Sequence, residues 1–268
     1  MENRQKIPTV LSIAGSDPSG GAGIQADLKT FMKAGVYGAA AIAGLTAQNT
    51  LAVEAAVPVS PDFVKAQLDA VLSDIRVDAI KLGMLPGRDI CEAVAAYLSG
   101  YPVVCDPVMV ATSGGRLVDR EAVSGLIEII LPKTDFLTPN LYELEVLHEK
   151  PVDDVIEAGM SVMNRFPGLT GIALKGGHRP NPDGTVTDTL LFRENGEIKQ
   201  RSETNPYIDT KNTHGTGCTF SSAMAAYLAK KHDPVDAFVQ AVRFTHRLIG
   251  ISRDLKIGNG HGPLLHHL

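Results

Sequence analysis

Short apolar segments typical of buried strands alternate with amphipathic helical segments along most of this chain. Residues 10–15 form an apolar, strand-like run. Ile24, Leu28 and Phe31 then recur at the spacing of one helix face, and Gly35 ends that segment. The alternation predicts an α/β fold with a mostly parallel central sheet and helices on both faces. Further strands are predicted at 37–45, 79–84, 103–106, 136–138 and 172–175, and further helices at 61–75, 89–98, 121–131, 141–148 and 154–166, and from about 217 and 235.

The interval 185–203 follows a different pattern, because apolar and polar residues alternate on both sides of Asn195-Gly196. An Asn-Gly pair between two alternating runs is a strong signal for a β-hairpin. We therefore expect an antiparallel hairpin late in the chain, joined to the otherwise parallel sheet. No Pro-, Gly- or Ser-rich linker and no internal repeat interrupts the sequence, so residues 1–268 are predicted to form a single domain.

Charge and cysteine content argue against several classes of protein. The net charge is −5 and no basic cluster is present, so we expect no nucleic acid partner. No apolar run approaches the ~20 residues that span a bilayer, so we expect no membrane association. Cys91, Cys105 and Cys218 lack Cys-x-x-Cys spacing, which predicts reduced thiols and neither a zinc site nor a disulfide framework. The polar N-terminus shows no signal-peptide pattern, and the predicted location is cytoplasmic.

Polar residues follow most of the predicted strands. In parallel sheets, ligands bind at the carboxyl ends of the strands, and residues that follow the strands meet there. We therefore expect these polar residues to form one rim around a single binding site. They are Ser16 and Asp17, Gln48 and Asn49, Met84, Asp106 and Pro107, Pro139 and Asn140, and the run Lys175-Gly176-Gly177-His178.

The loop at 212–219, Asn-Thr-His-Gly-Thr-Gly-Cys-Thr, leads directly into an Ala-rich helix. The first turn of a helix offers free N–H groups and a partial positive charge, and glycines let phosphate oxygens approach closely. The same field is expected to lower the pKa of the Cys218 thiol. An anion site beside a potential base is typical of phosphoryl transfer. The alternative is an ordinary loop-to-helix junction with a small buried cysteine.

Four residues on the expected rim suit the same chemistry. Lys175 would neutralise the moving phosphoryl group, and Asp106 and Glu143 would hold Mg²⁺, mostly through water. Each has a simpler explanation: Asn140 as a helix cap, Glu143 as a first-turn acid, Lys175 as a surface side chain. Jointly, with the glycine loop, they favour a phosphotransferase. The G-x-G-x-x-A sequence at 21–26 does not indicate NAD, because it is separated from the strand and no acid follows ~20 residues on.

Seven segments of the sequence together form a specific pattern. They are 13–30, 45–50 (Leu-Thr-Ala-Gln-Asn-Thr), 81–85 (Lys-Leu-Gly-Met-Leu), 106–110 (Asp-Pro-Val-Met-Val), 138–141 (Thr-Pro-Asn-Leu), 175–178 (Lys-Gly-Gly-His) and 212–219. Through them the chain resembles the hydroxymethylpyrimidine/phosphomethylpyrimidine kinases of the ribokinase superfamily over nearly its whole length. The resemblance implies a ribokinase-like three-layer sandwich, a small pyrimidine substrate, ATP and Mg²⁺, a place in thiamine synthesis or salvage, and a homodimer.

The resemblance also implies a role for each site residue. Cys218 would be the base that takes the proton of the hydroxymethyl group, and Gln48 would read the aminopyrimidine edge. Lys175 would act in catalysis as well as in ATP binding. The other assignments are Gly215, Thr216 and Gly217 to the anion hole, Gly15, Asp27, Thr46 and Met84 to the pyrimidine pocket, Asp106, Asn140, Glu143 and Thr213 to ATP, and Glu143 and Asp106 to Mg²⁺ through water.

Three alternatives to this function stay open at the level of sequence. The nearest is a pyridoxal kinase of the same superfamily, which Gln48 and the run at 175–178 disfavour. A non-catalytic pyrimidine sensor would have no need of Cys218 or Lys175, and a sugar kinase is expected to carry a carboxylate base. Residues 111–116 read Ala-Thr-Ser-Gly-Gly-Arg where the family commonly has Ala-Lys-Ser-Gly-Asp-Arg. The departures at Thr112 and Gly115 bear on whether both phosphorylation steps occur.

Overall fold

A computed structural model describes residues 6–109, 118–178 and 180–268, without the side chain of His178. The departures at Thr112 and Gly115 lie outside this part of the chain. Within it, nine strands form one sheet in the order β3-β2-β1-β4-β5-β6-β7-β8-β9. The strands are β1 Thr9–Ser16, β2 Tyr37–Gln48, β3 Val53–Pro58, β4 Ala79–Leu82, β5 Val103–Cys105, β6 Phe136–Leu137, β7 Gly171–Leu174, β8 Thr185–Glu194 and β9 Glu197–Pro206.

Helices cover both faces of the sheet. They are α1 Gly23–Lys33, α2 Pro61–Leu72, α3 Arg88–Ala95, α4 Arg120–Gly125, α5 Leu141–His148, α6 Val155–Arg165, α7 Thr216–Ala229 and α8 Pro234–Ser252. Two hydrophobic cores result. One packs α2 to α6 against the sheet, and the other packs α1, α7 and α8. Adjacent strand residues face opposite cores, as Val103 and Val104 do, which is the period-2 geometry of a sheet buried on both sides. The ribokinase-like three-layer prediction is confirmed.

The sheet is parallel from β2 to β7 and antiparallel at both edges. The predicted late hairpin is confirmed, since β8 and β9 pair antiparallel around Asn195 and Gly196, both with positive φ. Such a pair of left-handed residues matches the twist of a hairpin. The antiparallel edge strand β3 was missed by sequence reasoning. It is largely exposed, and although only residues 49–52 separate it from β2, its sequence, Val-Glu-Ala-Ala-Val-Pro, lacks the apolar–polar alternation of a half-buried strand.

Local signals fix most helix boundaries. Ser60 caps α2 and Asp233 caps α8, each followed by proline at the first helical position. The predicted single helix at 121–131 is wrong in its second half. After α4 the chain widens into a π-helical turn, Leu126–Ile130, and tightens into a 3-10 turn, Leu131–Lys133. Pro132 lies in that last turn, where it lacks the N–H that a continued α-helix requires. None of the described helices has the length and hydropathy of a membrane span.

Candidate active site

A cavity of about 1070 Å³ opens at the carboxyl ends of the parallel strands. This is the edge at which the sequence predicted one rim of polar residues, and a volume of this size can hold two small ligands side by side. Every predicted site residue except Asp27 lines it: Gly15, Thr46, Gln48, Met84, Asp106, Asn140, Glu143, Lys175, Thr213, Gly215, Thr216, Gly217 and Cys218.

The first turn of α7 forms one wall of the cavity. Gly215 precedes the helix with φ +80°, and a Cβ there would collide with the carbonyl oxygen of Gly21. Only glycine allows this turn and this approach of the two loops. The Thr219 N–H makes the first α-helical bond, to the Gly215 carbonyl at 2.9 Å. The amides of Gly217 and Cys218 precede it, and because free N–H groups at a helix start can bind an anion, this turn is the candidate anion site.

The Cys218 thiol lies in this turn, half-buried, and its electrostatics differ from the expectation. Burial raises the pKa of Cys218 to about 12, because it disfavours the charged thiolate. The nearby charge of Lys81 and a hydrogen bond from the Gly23 amide lower the pKa, but by less than burial raises it. The predicted lowering is therefore wrong. A helix N-terminus is worth roughly 0.3–1 kcal/mol to an anion, too little to offset strong desolvation.

Lys175 and Asp106 stand beside the same turn. Lys175 follows β7, Asp106 follows β5, and their charged atoms are 3.5 Å apart. Asp106 also accepts a hydrogen bond from the Thr138 hydroxyl at 3.3 Å. A Cβ at Gly217 would lie 3.4 Å from Lys175 Nζ and 3.5 Å from Asp106 Oδ2. The cation and the carboxylate thus flank the first turn of α7 at contact distance, and the predicted role of Lys175 in neutralising a phosphoryl group stays a prediction.

Asn140 and Glu143 begin α5 as a capping box. The Glu143 N–H donates to Asn140 Oδ1 at 2.9 Å, and the Asn140 N–H donates to Glu143 Oε2 at 2.8 Å. The simpler explanation of both residues is therefore correct, although both also line the cavity. Burial, reinforced by the charge of Asp106, raises the pKa of Glu143 well above its usual range. Among the residues described, no three His, Cys, Asp or Glu side chains cluster as a metal site.

Asp27 does not line the pyrimidine pocket, contrary to the expectation. It is fully buried, and Lys81 Nζ donates to its two oxygens at 2.9 and 3.0 Å. The hydroxyls of Ser12 and Ser222 donate to the same carboxylate. Asp27 lies on the core-facing side of α1, behind the cavity wall. Sequence reasoning missed Lys81, although a lysine within the apolar strand β4 was the signal, since a buried charge requires a partner.

Gln48 stands at the end of β2, beside two residues to which the sequence assigned no role. Its amide nitrogen is 3.4 Å from His214 Nε2, which in turn is 2.8 Å from Asp17 Oδ2. Both His214 and Asp17 are buried. Met84 packs against Gly15, where a Cβ would meet the Met84 methyl group. Gly15 therefore leaves room for the methionine that lines the pocket next to Gln48.

The sheet order, the anion site at α7 and the flanking lysine define the chain as a ribokinase-like phosphotransferase. The family model for phosphomethylpyrimidine kinase matches residues 17–265, and the chain belongs to that family. A hydroxymethylpyrimidine/phosphomethylpyrimidine kinase of Escherichia coli is 44% identical over 263 residues, which cover 96% of each chain.

Solved structures agree in fold. The ADP complex of Bacillus subtilis pyridoxal kinase superimposes with a TM-score of 0.84 at 34% identity, covering 97% of this chain and 98% of that one. The phosphomethylpyrimidine kinase of Clostridium difficile gives a TM-score of 0.76 at 34% identity, covering 91% of this chain and all of the other. The chain is a kinase, and the ADP in the neighbouring structure is in accord with the use of ATP.

Proposed function

We propose that this kinase transfers the γ-phosphoryl group of ATP to the hydroxymethyl group of 4-amino-5-hydroxymethyl-2-methylpyrimidine and then to the resulting monophosphate. The main observation behind this proposal is that the Gln48 amide and the first turn of α7 line the same cavity. An amide has a donor and an acceptor in the spacing that an aminopyrimidine edge requires. The names of the relatives support this substrate.

Some residues of the cavity wall would position the two substrates, and others would neutralise the charge of the phosphoryl group. Phosphoryl transfer through a loose transition state needs alignment and charge neutralisation more than a strong base. Gly215, Thr216 and Gly217 would form the anion hole, in which the free N–H groups of Gly217 and Cys218 would donate to the phosphoryl oxygens, because the Thr216 N–H already donates to the Thr213 carbonyl. Lys175 would neutralise the charge of the phosphoryl group during transfer. Asp106, Asn140, Glu143 and Thr213 would bind the nucleotide side of the reaction. Gly15, Thr46 and Met84 would shape the pyrimidine pocket.

Asp106 and Glu143 fit Mg²⁺ by the type of their ligand atoms. Mg²⁺ is bound by one or two carboxylates, with water and substrate phosphates completing its shell. That preference fits a site with two acidic residues and no cluster of three in the described chain. The ion would neutralise phosphate charge when bound. Because burial raises the pKa of Glu143, a nearby cation would favour its ionised form.

Cys218 lies in the first turn of α7 and lines the cavity, and its function as a base stays a prediction. A thiol with a pKa of about 12 holds little thiolate at neutral pH, so the base role requires ionisation in the loaded site. Replacement by alanine and by serine tests this. If Cys218 is the base, kcat should fall about 10²–10⁴-fold in both the alanine and the serine variant, and the affinity for ATP should be retained. If serine retains kcat, the side chain aligns the alcohol and does not take its proton.

We further propose that the chain acts as one kinase domain, residues 1–268, in the cytoplasm and as a homodimer. The β2–β3 edge favours self-association, because Leu45, Leu51 and Val57 are 45%, 60% and 54% exposed there. Sedimentation of the purified protein measures the oligomeric state. A monomer at micromolar concentration would reject the dimer without affecting the proposed reaction.

A steady-state assay decides the reaction. Hydroxymethylpyrimidine, its monophosphate and pyridoxal are each supplied with Mg-ATP, and products are separated by charge. We expect mono- and diphosphate from the pyrimidine and a lower kcat/KM for pyridoxal. Accumulation of monophosphate without diphosphate over many turnovers would leave only the first step. A higher kcat/KM for pyridoxal would favour the alternative suggested by the similarity to the Bacillus subtilis pyridoxal kinase.

A further inference from the structure

A chain of polar contacts runs from the loop after β1 to the end of β2, behind the Gln48 amide. Asp17 Oδ2 is 2.8 Å from His214 Nε2. The ring nitrogen is 3.4 Å from one terminal atom of Gln48, and the other terminal atom is 3.2 Å from Thr46 Oγ1. The Thr46 hydroxyl also donates to the Ser16 carbonyl at 2.9 Å. The proposed reaction uses Gln48 but leaves Asp17 and His214 without a role.

The protons of this chain have one consistent arrangement, which begins at Asp17. Burial raises the pKa of Asp17, but hydrogen bonds from His214, Ser19 and Ala22 outweigh it and lower the pKa to about 2. The carboxylate is therefore ionised and can only accept. It also accepts from the amides of Ser19, Gly21 and Ala22 at 2.8–3.1 Å. His214 Nε2 must carry a proton and donate it to Asp17.

This proton fixes the Gln48 amide. The structure has the Gln48 nitrogen facing His214 and the Gln48 oxygen facing Thr46. A protonated Nε2 cannot accept from an amide N–H, so the amide must be turned over, which brings its oxygen to His214. The Thr46 hydroxyl donates its only proton to the Ser16 carbonyl, so it can only accept a hydrogen bond from Gln48. The atom that faces Thr46 must then be the amide nitrogen. Both neighbours select the same one of the two orientations of the amide, which resemble each other in shape and differ in polarity.

We propose that Asp17 and His214 are a positioning pair that holds the Gln48 amide in one orientation and so sets the direction in which an aminopyrimidine binds. The inference rests on the proposed function. Gln48 keeps one N–H and one oxygen lone pair free for the cavity, with the oxygen on the His214 side. The exocyclic amine of the substrate then lies toward His214, and the ring nitrogen lies toward Thr46.

This direction matters for the reaction because of the substrate's own connectivity. The carbon that bears the amine adjoins the carbon that bears the hydroxymethyl group, whereas the ring nitrogen lies on the other side of the amine. His214 directly precedes Gly215 and the first turn of α7. An amine on the His214 side therefore brings the hydroxyl toward the anion site. The opposite amide orientation turns it away.

The His214 ring has little freedom to leave this position. Its backbone N–H donates to the Gly262 carbonyl at 3.0 Å. A Cβ at Gly21 would collide with the ring, so the loop at 17–22 lies directly against it. The His214 ring is thus held from both sides, so Asp17 and His214 can fix the orientation of the Gln48 amide.

A substrate analogue of reversed polarity tests the pair. In the 4-oxo analogue a carbonyl replaces the amine, and the adjacent ring nitrogen carries a proton. We expect the wild-type kinase to prefer the amino substrate in kcat/KM by more than tenfold, because the analogue mismatches a fixed amide. His214→Leu frees the amide to rotate, and the preference should fall about tenfold. The control His214→Gln keeps a donor and should retain most of it.

A second pair of variants addresses the other end of the amide. Thr46→Val removes the acceptor that holds the Gln48 nitrogen, and Thr46→Ser keeps it. We expect the preference for the amino substrate to fall in the valine variant only. If His214→Leu does not fold, the Thr46 variants decide alone. Equal losses for both substrates, or a wild-type enzyme without preference, would overturn the pair.

Dissociation constants for the two ligands without ATP separate this inference from the proposed reaction. If the wild-type protein binds the amino compound selectively but does not phosphorylate it, the kinase assignment fails and the positioning pair stands. If selectivity in binding is unchanged in His214→Leu and in Thr46→Val, the pair fails and the assignment stands. If the wild-type protein binds neither pyrimidine, both the positioning pair and the proposed reaction fail.

Discussion

Two acid–lysine pairs adjoin the first turn of α7, and they differ in almost every physical respect. Lys81 and Asp27 are fully buried, 2.9 Å apart, and two serine hydroxyls complete the carboxylate's shell. Lys175 and Asp106 are 3.5 Å apart, and the lysine side chain is 14% exposed to the cavity. The first pair is surrounded by protein atoms and can contribute only to the stability of the fold. The second pair is looser and lies at a cavity wall, so its lysine is accessible to a ligand.

The buried pair also shapes the site from behind. Burial disfavours the charge on Lys81, but Asp27 and the other acids nearby outweigh it and raise its pKa above the usual range. Lys81 is therefore a permanent cation under the Cys218 thiol, and its field lowers the pKa of that thiol. The two pairs thus differ in reach: Lys175 lines the cavity itself, whereas Lys81 acts from behind on Cys218, a residue of the cavity wall.

The largest expected effect concerns the buried pair. Lys81→Met leaves the Asp27 carboxylate unpaired in the core and should lower the free energy of unfolding by about 3–5 kcal/mol. Urea denaturation measures the loss. The double variant Lys81→Met/Asp27→Asn removes the uncompensated charge and should recover part of it. A single variant that unfolds at the wild-type urea concentration would mean that the pair does not stabilise the fold.

Lys175→Ala tests the other side of the comparison. We expect kcat to fall about 10²–10³-fold, because a donor aimed at the developing charge is lost. The second phosphorylation should fall more than the first, since its transition state gathers more negative charge. The urea midpoint should stay close to that of the wild type. The exposed hairpin lysine gives a matched control, Lys199→Ala, with unchanged kcat. A Lys175 variant that loses stability but keeps kcat would reverse the comparison.

His266 extends the comparison to a third group at the same turn. It is buried, 3.0 Å from Thr219 Oγ1, and burial, with a contribution from Lys29, lowers its pKa to about 4. The folded-state pKa lies below the unfolded value of about 6.5. The stabilising contribution is thus complete above pH 6.5 and is lost as the pH falls toward 4, by at most about 3 kcal/mol.

Replacing His266 with asparagine should flatten the stability profile between pH 6.5 and 4, as measured by urea denaturation at each pH. His261 is also exposed, so His261→Gln is the control and should leave the slope unchanged. An identical slope in wild type and in His266→Asn would contradict the assignment of this pH dependence to His266.

The sequence predicted those parts of the molecule that local pattern encodes. The helix at 141–148 and the Asn195-Gly196 turn follow from periodicity and turn chemistry, and both agree with the structure. The meeting of the polar rim follows from one rule about parallel sheets. The edge strand β3 follows β2 after only four residues, but its exposed sequence, Val-Glu-Ala-Ala-Val-Pro, lacks the apolar–polar alternation that indicates a half-buried strand.

The same limit applies within the site. That Asp27 faces the core and Gln48 the cavity depends on which side of α1 and β2 is covered. The pKa of Cys218 is set by burial, a property of the whole fold, and it overrides the local field of the helix start. The Asp17–His214 contact joins residues 197 positions apart in the chain. Spacing in the sequence carries no sign of it.

The strand order has a consequence for synthesis of the protein. β1 leaves the ribosome first yet lies inside the sheet, so it gains its neighbours only when β2 and later β4 have emerged. The wall formed by α7 begins at residue 216, after all nine strands of the described chain. Pairings of this kind form slowly because long loops must close first. A nascent chain therefore exposes apolar strands until α7 and α8 have been made, and the cavity wall that α7 forms is assembled only after the whole sheet has emerged.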